Sequence, residues 1–94
     1  YSATGEINFR VENVAQTLQK IEAHFAAQNA KFDRLDGLSV EIGDIKSGGW
    51  WFNLRSSNTE PLLRLNLEAP TPQKRDAALA EVQEILGASP VEGH

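Results

Sequence analysis

The chain has 94 residues, 40% of them hydrophobic and 23% charged, enough for one domain with one modest core. Its formal net charge of −4 argues against a general nucleic-acid or acidic-membrane surface, and the absence of cysteine excludes disulfides and thiol chemistry. No apolar run approaches the ~20 residues that a bilayer-spanning helix needs, and no signal-peptide pattern opens the sequence, so a cytoplasmic protein is expected.

Ile7, Phe9 and Val11 alternate with Asn8 and Arg10, the period-two signature of a half-buried strand. Asn13 is placed to cap a following helix, with Gln16 three residues on as in a capping box. Val14, Leu18, Ile21 and Phe25 share one face of that helix, which is expected to end near Asn29. Lys31 to Leu35 is ambiguous, with a short strand as one reading. Asp36-Gly37 signals a tight turn into a second clear strand through Leu38, Val40 and Ile42.

Asp44 to Gly49 reads as a flexible connection. Trp50, Phe52 and Leu54 alternate with Trp51, Asn53 and Arg55 in a third strand. Leu63, Leu65 and Leu67 alternate with Arg64, Asn66 and Glu68 in a fourth. Thr71 as N-cap and Pro72 at the first position start a second helix, with an apolar stripe of Ala78, Leu79, Val82, Ile85 and Leu86 and a stop at Gly87. Residues 88–94 read as tail. The start at Tyr1, the lack of any methionine and the ending Glu92-Gly93-His94 lead us to expect one excised domain of a longer protein, finished by tag residues.

These elements predict an α+β two-layer sandwich. A mainly antiparallel sheet of about four strands carries two helices on one face and leaves the other open.

The segment between the third and fourth strands is unusual. Short hairpins favour Asn-Gly or Gly-containing turns, yet here Ser56-Ser57-Asn58-Thr59 stands between Arg55 and Arg64. From Ile45 to Arg64 the charge is +2, against −6 for the rest of the chain. If Leu54 and Leu63 face the core, alternation turns both arginines to the open face, near the mouth of the loop. Ser57 and Thr59 offer hydroxyl donors, Asn58 an amide, and the arginines charge-assisted bonds. Backbone N–H groups of a tight polar loop can add an anion nest. The arrangement suits holding a phosphate; no histidine base or metal cluster stands beside it to break a bond.

At these residues the sequence resembles the C-terminal-domain signature of the α-D-phosphohexomutases. "RSSNTEPLLR" carries the resemblance, supported by "GEINFRV", "DGLSVE" and the tryptophan-bearing strand, over roughly Gly5 to Gly87. Asparagine in the loop resembles the phosphomannomutase/phosphoglucomutase branch; the phosphoglucosamine mutases, which typically have glycine there, are the alternative within the superfamily. The resemblance implies a loop that grips the phosphate not being transferred, through Arg55, Ser57, Asn58, Thr59 and Arg64, with Glu60 and Pro61 shaping it. It implies a hexose phosphate (mannose or glucose 1- or 6-phosphate) and the other domains of the same chain as partners, with no nucleic acid and no membrane. The phosphoserine, sugar-selecting and magnesium-binding loops of such enzymes belong to earlier domains. Mg²⁺ is therefore expected in the full-length enzyme only, and this piece alone is expected to be inactive.

Other readings stay open at this level. The loop also reads as a plain polar hairpin, and Arg64 as a surface arginine paired with Glu60 or Glu68. Trp50 reads as core; Trp51 reads as an interdomain or sugar contact on the open face. His24 and His94 have no metal partner at usable spacing. Gly48-Gly49 reads as a turn, and Asp33, Asp36, Glu41 and Asp44 as solvated carboxylates. A non-enzymatic α+β module binding RNA or protein is the alternative from another class.

Overall fold

A computed structural model describes residues 1–34, 37–56 and 61–87. In chain order the elements are β1 (Ser2–Ala3), β2 (Ile7–Arg10), α1 (Val14–Ala26), β3 (Lys31–Asp33), β4 (Leu38–Ile42), a 3₁₀ turn (Ile45–Ser47), β5 (Trp50–Ser56), β6 (Leu62–Ala69) and α2 (Pro72–Leu86). The fold is the expected α+β sandwich, with six strands among the described residues rather than about four. The sheet runs β1-β6-β5-β4-β3, and β2 also pairs with β6. Every pairing is antiparallel.

One sheet face makes the core. Phe9, Leu38, Val40, Trp50, Phe52, Leu54, Leu63, Leu65 and Leu67 are buried there, against Ile21 and Phe25 of α1 and Ala78, Val82 and Leu86 of α2. Phe25 is the hub of the aromatic packing. Its ring meets Trp50 edge-on at 5.5 Å and lies 5.2 Å from Phe52, while Trp50 and Phe52 stack at 5.6 Å. The two helices are also joined across their exposed sides, where His24 Nε2 lies 2.8 Å from Glu81 Oε2 and Gln28 Nε2 donates to the same oxygen at 2.9 Å. His24, which carried no role in the sequence, thus links the helices.

The helix starts follow their caps. The Asn13 side chain accepts from Gln16 N at 3.0 Å, and Thr71 Oγ1 accepts from Lys74 N at 3.2 Å, each satisfying a first-turn donor. Helix α2 stops at Gly87 as expected. Helix α1 stops at Ala26, three residues short of Asn29, which adopts a left-handed φ of 58° in the turn beyond. Its buried face also differs. Thr17 is buried, and Val14 and Leu18 are only partly so. A threonine is tolerated there because its hydroxyl donates to the Asn13 carbonyl at 2.8 Å, leaving the methyl for the core.

Asp44 to Gly49, expected as a flexible connection, forms a hydrogen-bonded 3₁₀ turn. The Asp44 side chain accepts from Lys46 N at 3.0 Å, and its carbonyl accepts from Ser47 N and Gly49 N at 2.8 and 2.7 Å. Of the predicted Asp36-Gly37 turn, Leu35 and Asp36 lie outside the described residues; Gly37 has the positive φ, 79°, that such a turn requires.

Strands β1 and β2 form one edge beside β6, broken by a bulge. Ala3 pairs with Glu68 and Ile7 with Leu65, so Thr4, Gly5 and Glu6 stand against only Leu67 and Asn66. Gly5 takes up the turn with φ 71°. Thr4 keeps the ladder satisfied: its N–H donates to Leu67 O at 2.9 Å, and its Oγ1 accepts from Leu67 N at 3.2 Å.

Candidate functional site

The β5–β6 ladder settles which way the arginines face. Leu54 pairs with Leu65 and both are buried under the helices; the next pair toward the loop is Arg55 with Arg64, both exposed. Alternation therefore sends the two guanidinium groups to the face away from the helices. Directly opposed residues in an antiparallel pair stand about 5 Å apart at Cβ, a separation at which like charges oppose each other. The last ladder pair before the loop is Ser56 with Leu63. Ser57, Asn58, Thr59 and Glu60 lie outside the described residues. Pro61, at the far end of the loop, is held by its carbonyl, which accepts from Val11 N at 2.9 Å.

Two further cross-strand rows lie behind the arginines on the open face. Asn53 pairs with Asn66, then Trp51 with Glu68. Asn53 Nδ2 donates to Ser39 Oγ at 3.0 Å, and Trp51 Nε1 donates to Glu68 Oε1 at 3.2 Å. Together these rows floor an open depression of about 360 Å³, bounded by Arg55 and Arg64, by Trp51 and by Glu6 from beyond the bulge. Glu68, one candidate partner for Arg64, is thus taken up by Trp51, and among the described residues no salt bridge joins it to Arg64.

Trp50 is in the core at 8% exposure, as expected. Trp51 is half-buried on the open face, its indole tied down by Glu68. Among the described residues no group of three or more His, Asp or Glu is placed to hold a metal ion, and no helix is long and apolar enough to cross a membrane.

Three residues near the arginines carried no site role in the sequence reading. Gly37 packs against the base of Arg55: a Cβ there would meet Leu54 O at 2.6 Å and Arg55 Cγ at 3.0 Å. Asn8 pairs with Arg64 from the other side, and its Oδ1 is buried without a hydrogen-bond partner among the described residues. Glu6 lines the depression. Glu6 and Asn8 belong to "GEINFRV", and only the topology shows that this segment lies beside Arg64, some 55 residues later in the chain.

Known proteins share this chain's pattern over most of its length. The family described as "Phosphoglucomutase/phosphomannomutase, C-terminal domain" matches residues 6–85. The chain is 43% identical over 83 residues to "Phosphohexose mutases" of Xanthomonas campestris pv. campestris (strain B100), covering 88% of this chain and 16% of that protein. It is 42% identical over 86 residues to a phosphomannomutase of Methanocaldococcus jannaschii, covering 92% of this chain and 18% of the other. With a phosphomannomutase of Salmonella typhimurium it shares 49% identity over 69 residues, 73% of this chain and 14% of the relative. The chain thus spans less than a fifth of the length of these curated relatives.

Proposed function

The chain belongs to the phosphoglucomutase/phosphomannomutase C-terminal domain family, and from that premise we propose that it is the phosphate-gripping domain of a hexose-phosphate mutase. One observation carries the reading: Arg55 and Arg64 are opposed across the β5–β6 ladder, on the open face, at the mouth of the polar loop. A pair of opposed cations is unfavourable by itself and becomes favourable around an anion. Guanidinium stays protonated throughout the range in which a phosphate monoester is dianionic, and its fork geometry matches phosphate oxygens. Ser57, Asn58 and Thr59 supply neutral donors from the loop.

In the whole enzyme, an isomerase, one phosphoryl group leaves the protein for the sugar, the resulting bisphosphate turns round, and the other phosphoryl group returns. This domain's part is to hold the phosphate that is not moving, at either end of the intermediate. Fixing that end positions the reacting end, and positioning with charge neutralisation supplies most of the rate in such transfers. Binding across the cleft also draws the domain shut and excludes water. The nucleophile and the Mg²⁺ belong to other domains of the full-length protein, so the 94-residue chain binds without catalysing.

The test is an NMR titration of the chain with mannose 6-phosphate, inorganic phosphate and plain mannose. Shifts at the amides of Arg55 to Thr59 and of Arg64, with both phosphates and not with mannose, are the expected result. Shifts spread over the Trp51 and Asn53 rows with mannose alone would overturn the assignment.

A further inference from the structure

We propose that Glu6 is a resident counter-charge to the Arg55–Arg64 pair, a carboxylate that lowers the positive potential of the two guanidinium groups and opposes an incoming phosphate. The inference rests on the phosphate-gripping reading above and adds to it a residue that keeps the grip reversible.

The bulge is what puts Glu6 there. Extended by one residue, the register of β2, with Asn8 on Arg64 and Ile7 on Leu65, puts Glu6 opposite Asn66, diagonal to Arg64 and on the side of the depression that both arginines line. In the register of β1, with Ala3 on Glu68, the sixth residue would fall opposite Leu65 and face the buried side. The extra residue at Thr4–Gly5–Glu6 thus turns one carboxylate from the core side to the arginine side. Diagonal neighbours on antiparallel strands lie about 7–8 Å apart, within reach of long side chains.

Glu6 is exposed, lines the same depression as both arginines and, among the described residues, is salt-bridged to neither. It therefore lowers the positive potential of the pair without occupying the place of the anion. A phosphate entering between the arginines is attracted by their two cations and opposed by the Glu6 carboxylate. Such opposition is useful where a ligand must be released and rebound by its other end, because grip that is equally strong at every stage does not speed the reaction.

The test is inorganic phosphate titrated into the ¹⁵N-labelled chain and its Glu6→Gln and Glu6→Ala variants, with Arg64→Ala alongside. At this range an exposed charge changes affinity by roughly two- to five-fold. Both Glu6 variants are expected to bind phosphate tighter by that factor, and the gain is the diagnostic: structural damage to the edge strand would weaken binding. Unchanged or weaker binding in both variants, with Arg64→Ala still abolishing it, would overturn the counter-charge role and leave the phosphate site standing. Identical responses of the parent chain and Arg64→Ala would overturn both.

Discussion

Gly37 and Leu54 approach so closely that a single added carbon would not fit between them: a Cβ on Gly37 would lie 2.6 Å from the Leu54 carbonyl oxygen. The contact joins the entry to β4 with the middle of β5, one residue before Arg55. Gly37→Ala would have to displace backbone and would also hold alanine at φ 79°. Each effect is destabilising, and together they are expected to lower stability by about 2–3 kcal/mol. Urea denaturation reads the loss. The Arg55 amide resonance should move in the same variant, because the glycine also packs on Arg55 Cγ.

Arginine removal should separate binding from folding. Arg55→Ala and Arg64→Ala are each expected to abolish phosphate-induced shifts while changing stability by no more than about 0.5 kcal/mol, the usual range for exposed positions. A large loss of stability in either variant would show an arginine serving the fold instead. In a full-length mutase carrying this domain, Arg55→Ala should lower turnover; unchanged turnover would sink the gripping role.

Much of this was legible because period-two alternation is a local signal. Leu54 and Leu63 had to face one way, so Arg55 and Arg64 had to face the other, and the ladder has them opposed. The parts that were not legible depend on partners distant in sequence. Ser2–Ala3 carries no pattern at all and is a strand only because Glu68 and Ala69 pair with it. Thr17 looks polar and is buried because a carbonyl four residues earlier accepts its hydroxyl. Asp44 to Gly49 looked loose from its glycines, yet one aspartate organises it through side chain and carbonyl together. Glu6 and Asn8 join the arginine neighbourhood only through the β2–β6 pairing, which no local pattern announces.

The helix caps should each be worth about 1 kcal/mol. Asn13→Ala and Thr71→Ala each leave a first-turn N–H without its side-chain acceptor. Thermal unfolding should show two losses of similar size that add in the double variant, since the caps serve different helices. Strong non-additivity would mean that α1 and α2 form as one unit, coupled through the His24–Glu81 contact.

Phe25 should be the most sensitive core position. It is fully buried and touches both Trp50 and Phe52. Phe25→Ala is expected to remove about 3–5 kcal/mol, a large part of the 5–15 kcal/mol typical of a domain. The urea midpoint and the Trp50 contribution to fluorescence should fall together.

The bulge between β1 and β2 makes this edge sensitive to the number of its residues as well as to their kind. Substituting Thr4 or Glu6 alters one side chain and substituting Gly5 strains a φ of 71°, whereas deleting one of the three would merge the two registers and turn over every side chain on one side of the cut. Glu6 and Asn8 would exchange faces with Ile7 and Phe9, or else Ser2 with Ala3. Related chains should therefore keep the same count of residues here, and a gap placed at this point in an alignment would signal a domain with a different open face.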